Sequence, residues 1–172
     1  MVVRDTIAAM KKLPDSRDPQ ARRKLLNSID NSLALDLLAK QALGAQWGKL
    51  TPPERDNFVA LFTESLEKLA FPRAASALAE VQVTYSGESD SASADVVHSE
   101  ISRADGGKVP IDYRLAKRQS RWQIIDVTMD GQSLAKEVST RIQSAIHSEG
   151  YPKLVAELRK QITQTDAQSL SK

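Results

Sequence analysis

Residues 109–134, VPIDYRLAKRQSRWQIIDVTMDGQSL, constrain the fold more than any other stretch, because they read as two strands, a basic turn and a helix start. Val109, Ile111, Tyr113 and Leu115 alternate with Pro110, Asp112 and Arg114, which is the period of a half-buried strand. From Trp122 to Met129 the apolar residues fall on both faces: Trp122 and Ile124 on one, Ile125, Val127 and Met129 on the other. Such a strand demands cover on both sides or a bulge that switches faces. Asp130-Gly131 then turns the chain, and Ser133 can cap a helix with the stripe Leu134, Val138, Ile142 and Ile146. That stripe is expected against the sheet.

The flanking segments supply helices before and after the strands. Val3, Ile7 and Met10 space one helical face, closed by Pro14. A second helix passes through Leu25, Leu26 and Ile29, and Asp30 can cap a third from Asn31 to Leu43, ended by Gly44. Thr51, Pro52 and Glu54 form the sharpest helix start, a capping box with proline in the first helical position. Its apolar stripe is Phe58, Leu61, Phe62, Leu66 and Leu69; Pro72 either ends the helix or opens a short turn to Leu78. Strands are expected near Val81–Ser86, with Val83 inward, and near Ala94–Arg103, with Val97 and Ile101 on one face and Val96 and His98 on the other. A small acidic loop, Gly87–Ser93, separates them, and Asp105-Gly106-Gly107-Lys108 is a hairpin signal. After Gly150, Pro152 opens a last helix through Leu154, Val155, Leu158 and Ile162, and 163–172 reads as a frayed polar tail. The expectation is a single domain, 1–172, of class α+β: an antiparallel four-stranded meander with helices packed on it.

Composition excludes several functions. A net charge of +2 is too small for a nucleic-acid binder, which needs a clustered basic face. No cysteine is present, so disulfides and thiolate metal sites are absent. No apolar run approaches the roughly 18 residues that span a bilayer. With aromatics at only 5%, any large interior must be lined mainly by Leu, Ile, Val and Ala.

The chemical motifs fail on inspection. Residues 44–51, GAQWGKLT, have one residue too few for a phosphate loop, carry Leu50 where its Ser or Thr would stand, and link two helices. In residues 130–134, DGQSL, Leu134 breaks the nucleophile-elbow pattern. His98 and His147 lack partners at metal-ligand spacing. Asp126, among Ile124, Ile125 and Val127, could serve as a base in a cavity, or could simply be solvated or paired with Arg114 or Arg121. Two basic groups stand out: Arg22-Arg23-Lys24, and Arg114, Lys117, Arg118 and Arg121 around the turn. The second can hold a phosphate or dock an acidic partner; it can equally be a solvated hairpin end.

The run YRL, a short basic turn, then W-x-x-x-D-V-x-x-x-G-x-S-L resembles the MlaC-like phospholipid carriers, the auxiliary periplasmic components of toluene-tolerance and lipid-asymmetry ABC transport systems. Residues 42–69, ALGAQWGKLTPPERDNFVALFTESLEKL, resemble a second segment of that family, in order and at similar spacing, and the likeness runs from about Leu33 to Leu158. The resemblance implies a periplasmic protein whose export signal preceded Met1, with no cofactor and no catalysis. It implies a phospholipid as cargo, carried between an inner-membrane ABC transporter complex, with its membrane-anchored substrate-binding subunit, and an outer-membrane lipoprotein complex. An apolar lipid cavity is then expected from Trp47, Phe58, Leu61, Phe62, Leu66, Val83, Val97, Ile101, Ile111, Tyr113, Leu115, Ile124, Val127, Met129, Leu134, Val138 and Ile142. Arg114, Lys117, Arg118 and Arg121 are expected to meet a headgroup or a partner. Two alternatives stay open: a small cone-shaped α+β enzyme using Asp126 or His98 as base, and an adaptor with a filled core whose basic turn binds a protein.

Overall fold

The central hairpin of the sequence is also the centre of the sheet. In the computed structural model, which describes residues 2–90, 95–102 and 106–170, β3 (Lys108–Arg118) pairs antiparallel with β4 (Arg121–Met129) around a two-residue turn. Gln119 and Ser120 have φ of 48° and 66°, the backbone that a tight type I′ connection requires. β1 (Gln82–Asp90) and β2 (Asp95–Ser102) complete the meander, and β5 (Gln132–Ser133) adds a two-residue edge, giving the order β1-β2-β3-β4-β5. The four expected strands are present with this short fifth. Gly87 begins no loop: β1 bulges between Tyr85 and Gly87, then stays paired with β2 to Asp90. Of the expected segments, Ser91–Ala94 and Arg103–Asp105 lie outside the described residues.

The two-faced pattern of β4 is explained by a bulge. Register shifts between Arg114 and Leu115, leaving Ile125 extra, so Ile124 pairs with Leu115 while Val127 pairs with Tyr113 and Met129 with Ile111. One face of the sheet therefore collects Ile124, Val127 and Met129 together.

The described residues fall into two compact units, Met1–Ala34 with Arg73–Ala135, and Leu35–Pro72 with Lys136–Lys172. In the first, the sheet face is covered by α1 (Val2–Lys12). Val3 and Ile7 are buried in one cluster with Val97, Ile111, Tyr113, Leu115 and Ile124. Lys11 ties the helix down by donating from Nζ to the Val81 carbonyl at 2.7 Å. α2 (Pro19–Ser32) is capped by Asp18, whose carboxylate accepts from the Gln20 and Ala21 N–H groups. Asp30, expected to open a third helix, lies inside α2 instead, and the break falls at Leu33-Ala34. There β4 takes over the backbone: Ala34 N–H donates to the Ile124 carbonyl at 3.0 Å, and Gln123 Nε2 donates to the Asn31 and Leu33 carbonyls. A side chain and a strand edge satisfy the helix end, a tertiary event without a local sequence signal.

The second unit is helical. α3 (Leu35–Leu43) ends at Gly44, φ 55°, where a Cβ would lie 2.8 Å from the Gln143 amide nitrogen; a 3₁₀ turn Gly44–Lys49 follows. α4 (Pro52–Ser65) starts with the expected box: the Glu54 carboxylate accepts from the Thr51 N–H at 2.8 Å and from its hydroxyl at 2.7 Å. These bonds hold the Glu54 carboxyl below its usual range. A π-helical segment, Leu66–Ala70, joins α4 to α5 (Phe71–Ala79) without a break, and Pro72 sits just past it, where the Phe71 N–H donates to the Leu66 carbonyl. α6 (Leu134–Glu149) ends at Gly150, and α7 runs Tyr151–Leu170. The polar residues after Ile162, expected to fray, continue α7 to Leu170, with Lys68 paired to Asp166 along the way. Val138, Ile142 and Ile146, expected against the sheet, pack in a helical cluster with Ala39, Leu43, Phe58 and Phe62.

Candidate functional site

Strand alternation sorts the expected lipid-lining residues of the first unit by depth. Val97, Ile111, Tyr113, Leu115 and Ile124 are buried beneath α1, and Val83, Ile101 and Val127 are half-buried around them. Met129 and Leu134 are 39% and 40% exposed. Ile101 pairs with Val109, Ile111 with Met129, and Met129 with Gln132, so Ile101, Met129 and the chain leading to Leu134 share one end of the sheet. That end, with Val127 beside it, is an apolar face incompletely covered among the described residues of its own unit. Exposed apolar surface at the edge of a formed core is available to a ligand without unfolding anything.

The face contains one polar pair that the sequence reading passed over. Ser99 is buried between Val97 and Ile101, donates from Oγ to the Ile111 carbonyl at 3.2 Å, and bonds the Tyr113 side chain. Alternation alone could have found it, since Ser99 occupies the inward position between two residues already assigned there. Burial pushes the Tyr113 phenol up to about 12, against a smaller opposite effect of Ser99. Burial likewise raises Tyr85, whose ring carries the Arg4 guanidinium at 4.8 Å. Because the folded-state value of Tyr113 lies above the ordinary 10, its contribution to stability is complete below pH 10 and is lost as pH rises toward 12. Alkaline denaturation should therefore steepen across that window, and Tyr113→Phe should flatten it. Phenolate absorbance recorded alongside unfolding checks this; an unchanged profile in the variant contradicts it.

Asp126 and His98 lie on the opposite, polar face. Asp126 Oδ1 accepts from the Val127 N–H at 2.8 Å and the Ala135 N–H at 3.1 Å, and Oδ2 accepts from the Ser133 hydroxyl at 2.6 Å. The carboxylate thus receives the Ala135 N–H at the start of α6 alongside the Ser133 hydroxyl, and neither oxygen is left idle. His98 Nδ1 lies 2.8 Å from Asp112 Oδ1, its cross-strand partner, and neither Asp126 nor His98 shares the apolar face. Removing the Asp126 acceptor strands three donors, so Asp126→Ala should cost about 2–3 kcal/mol, or roughly 4–12 °C in Tm for a chain this size. Asp126→Asn should cost less, because Ser133 can turn to accept. Bound ligand per folded molecule should not change in either variant; scanning calorimetry with a ligand assay on the folded fraction checks both statements.

The four basic residues separate. Arg114 is paired in register with Asp126, four residues from the turn. Arg118 and Arg121 close the hairpin on that same polar face, and Arg118 reaches Gln123 at 3.5 Å. Lys117 pairs with Trp122, on the apolar side and beside the turn; Trp122 is 39% exposed.

In the helical unit, Phe58 and Phe62 are buried with Trp47, Leu66, Val138 and Ile142 packed around them. Arg55 covers Trp47, its guanidinium 5.5 Å from the ring centre and its Nε donating to the Trp47 carbonyl. Leu61 points elsewhere. With Phe58, Tyr151, Pro152 and Val155 it lines a pocket of about 370 Å³ between α4 and α7, rimmed by Glu54, Asn57 and Arg159. Tyr151 and Val155 were not expected to line a space. Among the described residues no group of histidine and acidic side chains could hold a metal ion, and no helix is long and apolar enough to cross a membrane.

The antiparallel meander thus carries its apolar face under an N-terminal helix, with Asp112, Asp126 and His98 on the opposite face. The family model for MlaC protein matches residues 1–160, and the chain belongs to the MlaC family. The fold is shared with a phospholipid-binding protein from Ralstonia solanacearum, solved in complex with a phospholipid. The TM-score is 0.76, and the match covers 96% of this chain and 94% of that one at 23% identity. No curated protein sequence matches this chain.

Proposed function

We propose that this chain binds a phospholipid and carries it through the periplasm between an inner-membrane ABC transporter complex and an outer-membrane lipoprotein complex. It acts as a carrier, not an enzyme, and uses no cofactor. The observation that carries the reading is the half-covered apolar end of the sheet, Ile101, Val127, Met129 and Leu134, in a chain of this family. The shared fold with a protein solved holding a phospholipid supports it.

The energetics set what such a carrier must do. Exposing two acyl chains to water costs about 0.8 kcal/mol per methylene, so roughly thirty methylenes come to more than about 20 kcal/mol. Only enclosure of most of the tail surface offsets that. Leu, Ile, Val and Met side chains supply it without polar groups that would be left unpaired. The phosphate stays near water, because burying an unpaired charge is prohibitive. In this reading Ile101, Val127, Met129 and Leu134 touch the tails, while Val97, Ile111, Tyr113, Leu115 and Ile124 hold the face in shape beneath α1. The engagement of both Asp126 oxygens in structural hydrogen bonds supports a non-catalytic role for that acid.

Transfer is separate from holding. Lys117, Arg118 and Arg121 lie at the hairpin turn, away from the Met129 end of β4, so they affect delivery more than retention. Replacing all three with Glu should slow phospholipid transfer to or from the partner complexes, most at low salt, with bound lipid at equilibrium little changed. Stopped-flow transfer of a fluorescent phospholipid measures it. Parent-like rates at low salt would place the delivery surface elsewhere, with Arg22-Arg23-Lys24 the next group to test.

A further inference from the structure

We infer that the β3–β4 hairpin tip is a docking element for the surface of an anionic bilayer, with Trp122 as its interfacial anchor. The inference deepens the carrier reading, and it rests on that reading only for its purpose; the surface itself stands on its own chemistry. Lys117, Arg118 and Arg121 surround a two-residue turn, and no Asp or Glu occurs between Tyr113 and Ile125. Lys117 and Arg121 make no ion pair among the described residues, and both are exposed. Trp122 pairs with Lys117 across the hairpin and leaves 39% of its surface in solvent.

An indole left in water beside the exposed cations Lys117 and Arg121 is costly for a solubility surface and well matched to a lipid headgroup layer. There the ring sits at the boundary between hydrocarbon and water, and the cations meet phosphate. The tip turns in only two residues, so Lys117, Arg121 and Trp122 are held within one short span of chain. Each Lys or Arg near an anionic surface strengthens binding by roughly fivefold. Three such cations give on the order of a hundredfold, enough to bring a carrier to a membrane without holding it there. Arg114 is outside the element, since it faces Asp126 further down the strand.

Vesicle flotation of the full chain tests the proposal, using phosphatidylcholine vesicles and vesicles of phosphatidylcholine mixed with phosphatidylglycerol. The chain should float with the anionic vesicles at low salt, release as salt rises, and ignore the neutral ones. Lys117, Arg118 and Arg121 replaced together with Glu should weaken flotation on the order of a hundredfold. Trp122→Phe should retain part of the binding and Trp122→Ala lose it. Tryptophan fluorescence should shift to the blue on vesicles in the parent and not in Trp122→Phe, although Trp47 is still present. Equal flotation of parent and triple variant overturns the proposal. So does the absence of flotation in a chain whose triple variant loses binding to a partner protein, a result that would make the tip a protein-docking surface. Lipid content measured on the same samples separates the two readings. Chain that carries phospholipid but ignores anionic vesicles defeats only the docking, and chain that floats without ever holding lipid defeats only the carrier.

Discussion

Phe58→Ala should be the most damaging single truncation in the helical unit, costing about 3–5 kcal/mol. Phe58 is 1% exposed and heads the fully buried side chains by size. Its ring lies 6.1 Å from Phe62 at an interplanar angle of 27°, and 6.1 Å from Tyr151 at 49°. Truncation removes both aromatic contacts and merges the vacated space with the adjoining α4–α7 pocket, so the walls have little to collapse onto. At roughly 2–4 °C per kcal/mol the fall in Tm is about 6–20 °C. Leu61→Ala, in the pocket wall rather than the aromatic stack, should cost less, about 2 kcal/mol. Urea or thermal unfolding of the two variants gives the order directly. A Phe58→Ala protein within 1 kcal/mol of the parent, on the scale that separates surface from core substitutions, would show that the aromatic stack is not the centre of this cluster.

The largest functional effect is expected at the open end of the sheet face. Met129→Arg and Leu134→Arg, made together, put two cations where acyl chains are proposed to lie. An unpaired cation against hydrocarbon costs several kcal/mol, and each 1.4 kcal/mol is tenfold in affinity. Lipid retained by the folded double variant should therefore fall by at least tenfold, and Met129→Leu should retain the parent level. Both residues are about two-fifths exposed, so an arginine head can reach water and the fold should survive with a loss of about 1 kcal/mol. Val97 and Ile111 cannot carry this test. They are 5% and 2% exposed beneath Val3 and Ile7, and arginine there would unfold the unit before it reported on lipid. Phospholipid recovered per folded molecule is the readout, and parent-like lipid in the double variant would move the tails off this face.

Much of this was legible in the sequence where the signal was local. The capping box at Thr51–Glu54, the ending of α3 at Gly44 and the alternation through Tyr113 all appear as read. The double-faced β4 was legible as a choice between two covers and a bulge, and the bulge is what forms. What escaped was set by partners distant in the chain. Nothing near Asn31 signals that Gln123 and Ile124 will end α2 there, and a propensity reading puts the break three residues early. Asp126 read as a candidate base because its neighbours are apolar. Its actual partners, Ser133 and the Ala135 N–H, come from the far side of a turn. The stripe Val138–Ile146 was legible as apolar but not as to its neighbours, since periodicity fixes a face and not what covers it. The cover over the sheet came from Val3 and Ile7, whose spacing announced a helix and nothing about its destination.

The central claim is that this chain holds a phospholipid, and one measurement addresses it without any variant. The full chain, produced where phospholipid is available and purified without detergent, is weighed intact by native mass spectrometry, and the same sample is extracted with organic solvent. A population heavier than the polypeptide by the mass of a phospholipid is expected, with that phospholipid recovered in the extract and the excess mass gone from the extracted protein. A folded chain at its bare polypeptide mass, with no phospholipid in the extract and none acquired from added vesicles, would contradict it.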